Sequence, residues 1–215
     1  MPDESMKSYY AQRAREYERI YAKPERQADL RQLESHIGIL FTGRNVLEIA
    51  CGTGYWTQFA ANSARSITAT DINPEVIAIA KSKSYGKQPI FLIADAYAPT
   101  TIPGEFNALL AAFWWSHISK ERLDEFLSAL HQRLAPGSLV AFLDNRYVEG
   151  SSTPVSSTDA IGNTYQDRRL DDGSNHHVLK NFPSIAEIES ALAGRSDNLE
   201  ILELQYYWLA TYTTA

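Results

Sequence analysis

Between residues 45 and 145, short apolar runs alternate with stretches in which apolar residues recur three and four positions apart. That rhythm predicts a parallel sheet with helices on its faces. The first strand covers 45–50 and ends in a glycine turn, after which a helix presents Trp56, Phe59 and Ala60 on one side. A second strand covers 66–71. Asn73 and Pro74 then read as N-cap and first residue of a helix whose apolar face is Val76, Ile77 and Ala80. A short third strand spans 90–94. The fourth, 106–112, runs into Phe113, Trp114 and Trp115, and from near Ser119 a helix carries Leu123, Phe126, Leu127, Leu130 and Leu134 at helical spacing. Ala135, Pro136 and Gly137 stop it, and 138–144 is the fifth strand. Ser184 and Glu187 match a capping box for a last helix, with Ile185, Ile188 and Leu192 facing inward and Gly194 closing it. Two final strands, 199–205 and 207–213, lie too close for a parallel crossover and must pair antiparallel.

The expected fold is therefore α/β: a Rossmann-like seven-stranded sheet with a terminal antiparallel hairpin and helices on both faces, forming a single domain over 1–215. Two parts fall outside that core and are candidate lids: an N-terminal helical region, 1–40, and a polar segment, 146–180, inserted after the fifth strand. The second contains 165–170 and 174–180 around Asp171, Asp172 and Gly173, which reads as a β-hairpin. Its register decides which side chains share a face. A two-residue turn pairs Arg169 with His176 and groups them with Tyr165 and Lys180, whereas a three-residue turn substitutes Arg168 for Arg169. In both registers His176 and Lys180 stay together with one arginine, a cationic surface suited to an anionic substrate unless Asp167 and Asp171 neutralise it.

The chain has 215 residues, enough for one well-buried core. Its net charge of -6 and the absence of any Lys/Arg block argue against nucleic acid as partner. Cys51 is the lone cysteine and has no partner for an internal disulfide. The first residues lack the basic start and apolar run of a secretory signal, and no apolar run approaches the ~20 residues that span a bilayer. A soluble cytoplasmic protein without a metal is expected.

In a doubly wound sheet the ligand crevice lies beyond the carboxyl ends of the strands, so Gly52, Asp71, Asp95 and the run 112–117 should border one site. Gly52 and Gly54 leave room for a ligand to approach the backbone. Asp71, ending the second strand, is placed to accept hydrogen bonds from ribose hydroxyls, and Asp95 sits one strand further out, where a base would lie. Thr57 replaces the third small residue of the dinucleotide pattern, and the antiparallel terminal hairpin also disfavours NAD.

The segments VLEIACGTGYWT, ITATDINPEVIAIAK, FLIADAYAP and LAPGSLVAFLDN together resemble the class I S-adenosylmethionine (SAM)-dependent methyltransferases, over nearly the whole chain. The resemblance implies SAM as cofactor and S-adenosylhomocysteine as product. It implies that Gly52, Gly54 and neighbouring backbone hold the methionine part, that Asp71 binds the ribose with Ile72 against the adenine, and that Asp95 and Ala96 contact the adenine edge. Glu48 matches the family's acidic residue in the first motif, Ala50 stands where many members carry glycine, and Ala112 and Phe113 complete the cradle. More narrowly, YYAQRAREYERIY, FWWSHIS and RRLDDGSNHHVLKNF are similar to small bacterial O-methyltransferases acting on phosphonates. By that likeness Tyr10, Arg13 and Tyr17 fold over the cofactor, and Arg168 with Lys180 holds the acceptor.

A displacement at a sulfonium methyl needs alignment first, and needs a base only if the acceptor is not already an anion. His117 is the candidate catalytic residue, as base or hydrogen-bond donor. Arg168, Lys180, His176, Tyr17 and Trp115 are the candidate acceptor contacts. The leading expectation is a small-molecule O-methyltransferase with an anionic acceptor, phosphonate or carboxylate. Its alternatives are N-methylation or phenol O-methylation with His117 as base and, from another class, an NAD-dependent oxidoreductase or a non-catalytic nucleotide-binding protein.

Overall fold

A computed structural model describes residues 4–215. The parallel core is β1 (Asn45–Ile49), β2 (Ser66–Asp71), β3 (Ile90–Ile93), β4 (Ala108–Ala112) and β5 (Leu139–Asn145), extended by β9 (Ser196–Glu203) and β10 (Tyr207–Thr214). The sheet order is β3-β2-β1-β4-β5-β10-β9, with β10 antiparallel to both β5 and β9. This is the expected seven-stranded sheet. The closing hairpin joins its edge through β10, because a short connection can only reverse the chain.

The strand alternation sorts the core into two layers. Val46, Ala69, Leu110, Ala141 and Leu209 face α2 (Gln27–Leu40), α3 (Tyr55–Ala60) and α4 (Pro74–Lys81). Their neighbours Leu47, Leu109, Val140, Phe142 and Trp208 face α5 (Leu123–Gln132) and α6 (Ile185–Leu192). The capping box at Ser184 and Glu187 is formed, with each side chain bonded to the other's backbone N–H. Asn73 does not cap α4 with its side chain; its N–H instead donates to Asp71 at 2.9 Å.

The N-terminal region is helical as expected, although residues 1–3 of it lie outside the described residues. It comprises α1 (Glu4–Arg13), 3-10 turns at Tyr17–Ala22 and Pro24–Arg26, and α2. The insertion holds more than a hairpin: β6 (Ser157–Thr158), β7 (Thr164–Arg169) and β8 (Asn175–Leu179) form a separate three-stranded antiparallel sheet. The Leu170 N–H bonds the Ser174 carbonyl, leaving three turn residues and pairing Arg168 with His176. Among the described residues, no helix is long and apolar enough to cross a membrane.

Gly54 opens α3 at φ 78°, in the left-handed region. A Cβ there would stand 2.4 Å from the Tyr85 hydroxyl and 3.1 Å from the Ala80 Cβ. Gly54→Ala should therefore lower stability by about 1 to 3 kcal/mol in urea unfolding. Adding Tyr85→Phe should return part of that loss; full stability in the single variant would contradict the packing argument.

Candidate active site

The carboxyl ends of β1, β2 and β4 and the loop after β3 converge on one cavity. Its wall contains Tyr10, Tyr17, Ala50, Gly52, Asp71, Ile72, Asp95, Ala96, Ala112 and Phe113. The chain bends away from the strands at left-handed residues: Ala50 at φ 50°, Gly52 at 55° and Phe113 at 59°. For Ala50 and Phe113 that conformation costs on the order of 1–2 kcal/mol each. A Cβ at Gly52 would lie 3.9 Å from the Tyr17 ring, so the glycine keeps this cradle open. Asp71 is buried at the end of β2, where its Oδ2 accepts the Gly52 N–H at 3.0 Å and its Oδ1 the Asn73 N–H. A carboxylate offers about four lone-pair positions, so two remain for ligand hydroxyls. Met6, Lys7, Asn73, Val76 and Ala94 share the wall without having been expected there, and Trp114, from the expected run 112–117, lies on it too.

Three expected cofactor residues stand elsewhere. Gly54 serves the packing of α3 on α4 and is not on the cavity wall. Arg13 lines the adjoining cavity and sits over the Tyr17 ring at 5.2 Å. Glu48 lies within the core, 1% exposed, and its Oε2 has no hydrogen-bond partner. Burial pushes its pKa up to about 8, against the lowering pull of the Thr57 hydroxyl. A ligand with hydroxyls for Asp71 and an aromatic ring to pack between Ile72 and Val76 suits this set, and S-adenosylmethionine has both.

The N-terminal segment is fastened over the cradle. Thr53 donates to Glu18 at 2.6 Å, Lys83 pairs with the same carboxylate, and the Tyr21 ring stacks on Tyr55 at 3.7 Å. On α1, Tyr9 is buried against Leu170 and Val178 of the insertion, while Tyr10 bonds His117.

A second cavity adjoins the first across Tyr10, Tyr17, Phe113 and His117. The three-residue turn brings Arg168 onto the inward face, whereas Arg169 and Asp167 point outward. Arg168 is held by Gln166 Oε1, at 3.2 Å from Nε and 2.7 Å from Nη2, and by the Tyr9 hydroxyl at 3.4 Å. Lys180 was expected on a cationic surface, yet it is 5% exposed. Its Nζ donates to Ser116 Oγ at 2.5 Å and Asp144 Oδ1 at 3.1 Å, leaving a third N–H for the cavity it lines. Burial brings its pKa down to about 8, against the raising effect of Asp144.

Of the carboxylates that might have neutralised the hairpin, Asp167 pairs with His177 on the outer face and Asp171 with Arg19. His176 packs its ring on Tyr9 at 5.1 Å and meets Ser174 Oγ, away from the cavity wall. Trp115 is a core residue, 3% exposed against Phe142 and Trp208, because the 3-10 turn Trp115–His117 swings it beneath the sheet edge.

His117 borders both cavities. Its Nδ1 is 2.7 Å from the Leu179 carbonyl, which can only accept, so the proton sits on Nδ1 and Nε2 accepts from the Tyr10 hydroxyl at 2.7 Å. Burial, then Lys180 and Arg168, holds its pKa well below the ordinary value. Asp144 went unread in the sequence as a site residue, although it stands near the end of β5 at the same edge as Asp71 and the same positional rule would have selected it.

A family model described as a methyltransferase domain matches residues 46–137. An uncharacterized methyltransferase from Synechocystis sp. is 26% identical over 102 residues, 47% of each chain, so the match spans about half the length of that relative. Among solved structures, DhpI in complex with SAH is 28% identical, with 99% of this chain and 96% of that one covered at a TM-score of 0.77. DhpI with SAM and HEP, also 28% identical, covers 97% and 96% at 0.80. PH0226 from Pyrococcus horikoshii OT3, at 16% identity, 93% and 99% coverage and a TM-score of 0.72, shares the fold.

A carboxyl with a raised folded-state pKa favours the protonated native state, so stability falls as pH rises from the ordinary value of 4.5 through about 8. Glu48→Gln should flatten the decline in melting temperature of the cofactor-free protein over that window. Superimposable pH profiles would exclude the buried carboxyl as its source.

Proposed function

We propose that the chain is a SAM-dependent methyltransferase and that it methylates an anionic oxygen, phosphonate or carboxylate, on a small molecule. The observation that carries this reading is the company of His117: a neutral imidazole, its proton committed to Leu179, flanked by Lys180 and Arg168. Cations beside a histidine oppose its protonation, which makes it a poor base for a phenol or ammonium. The same cations attract an acceptor that is already deprotonated and needs no base.

The cofactor supplies an activated sulfonium methyl. The chain's own residues supply position. Arg168, pinned by Gln166 and Tyr9, presents its guanidinium edge, and the third Lys180 N–H offers another charge-assisted bond. His117 anchors the Tyr10 hydroxyl between the two cavities, and α1 contributes residues to the walls of both. Holding nucleophile and methyl in line is worth up to roughly 7–11 kcal/mol, which leaves little for acid or base catalysis to add.

Lys180 is charged below its pKa of about 8 and neutral above it. The kcat/KM for ethylphosphonate should accordingly fall as pH rises through about 8, since this parameter reports ionisations of the free enzyme. Lys180→Met alone would strand the Asp144 carboxylate in the interior, so the paired change Lys180→Met/Asp144→Asn is the cleaner probe. It should raise KM for the anion by roughly 10- to 100-fold, the loss of one charge-assisted hydrogen bond, with SAM affinity retained. Methyl transfer to a phenol or amine but to no anion would overturn the reading.

A further inference from the structure

The acceptor cavity measures about 300 Å³, room for on the order of ten waters, more than one oxyanion fills. Arg168 and Lys180 line it from the insertion. A different pair of cations, Lys23 and Arg26, lines it from the 3-10 turn Pro24–Arg26 and the residue preceding it, together with Asn145, Ser151 and Ser152 from the end of β5 and the loop after it.

Arg26 is 5% exposed. Its Nε donates to Ser151 Oγ at 2.9 Å, its Nη1 to Asn145 Oδ1 at 3.3 Å and its Nη2 to Ser152 Oγ at 3.5 Å. The guanidinium lies over the rings of Tyr206 and Tyr207 at 5.1 and 5.6 Å. Lys23 donates to the Ser151 carbonyl. Every hydrogen-bond acceptor here is neutral, and among the described residues neither cation has a carboxylate within 4.0 Å. Glu25, exposed, shares Ser151 Oγ with Arg26 and attracts both cations from beyond ion-pair distance, and Asp29 is engaged by the Tyr206 N–H. Burial and then the adjacent Arg26 lower the Lys23 pKa against the raising pull of Glu25, and an anion between the two cations would relieve their repulsion.

The cavity as a whole repeats this imbalance. Its wall carries the cations Arg13, Lys23, Arg26, Arg168 and Lys180 against the carboxylate of Glu16, which is 3.5 Å from Arg19. A buried charge is costly until it is paired, and a single oxyanion at Arg168 and Lys180 leaves the Lys23–Arg26 wall unpaired.

We infer that Lys23 and Arg26 form a second anion subsite, so that the acceptor is a two-ended dianion. One oxyanion, at Arg168 and Lys180, receives the methyl; the other, carboxylate or phosphoryl, is bound at Lys23 and Arg26. This inference rests on the anionic-acceptor reading above and narrows its substrate class.

The test is methyl transfer from SAM to ω-carboxyalkylphosphonates with two, three and four methylenes, each compared with its ω-carboxamide. In the parent enzyme at least one carboxylate should exceed its amide by tenfold or more in kcat/KM. Lys23→Gln, at a half-buried position and checked by its melting curve, should bring that ratio toward one. Arg26→Gln should do the same, provided its melting curve shows a folded protein. Equal turnover of carboxylates and amides, or a ratio untouched by Lys23→Gln, would overturn the subsite alone. Failure of every phosphonate alongside methylation of a phenol or amine would overturn the anionic reading on which it rests.

Discussion

The interior ion pair between Lys180 and Asp144 is the constraint on which the acceptor side depends. It joins three separate stretches of chain: the insertion that ends in Lys180, the last turn of β5 that supplies Asp144, and the segment after β4 that supplies Ser116. Ser116 donates to Asp144 from both its backbone and its hydroxyl, and Asn181 donates to the Ser116 and Ile118 carbonyls. Removing one partner of such a pair costs about 3–5 kcal/mol, because the other charge stays buried. The insertion is thereby fixed in position, and Arg168 and the Leu179 carbonyl that orients His117 are fixed with it.

The cofactor side depends on backbone strain. Ala50 and Phe113 end adjacent parallel strands in left-handed conformations, so the chain turns sharply away and leaves its edge open. The surrounding sheet holds both residues there. Strain of this kind persists where neighbouring structure over-determines it, and here it lines a ligand cavity. Side chains are set aside for structure in the same region: Gly54 spaces α3 from α4, and Trp115, aromatic and adjacent to the site, fills the core beneath it.

The N-terminal helix connects the two sides. Tyr10 belongs to both cavity walls and bonds His117, while Tyr9 touches Arg168 and His176 on the insertion. The cofactor cradle, α1 and the inserted hairpin are therefore joined by direct side-chain contacts.

Hydrophobic period, turn residues and the edge rule for parallel sheets determined the seven strands, the order of helices and the cavity bordered by Gly52, Asp71 and Asp95. These follow from local spacing, which one strand and its turn carry by themselves. Pairing across the insertion was legible only as two registers, because Arg168 and Arg169 are chemically alike and differ by one step in a period of two. Tertiary structure alone decided the rest. It buried Lys180 against Asp144, sent Trp115 and His176 away from the acceptor cavity, locked the His117 tautomer, and brought Lys23 and Arg26 to the same wall as Arg168. Each of these is a contact between segments distant in sequence, where burial and charge partners, rather than residue type, set what a side chain does.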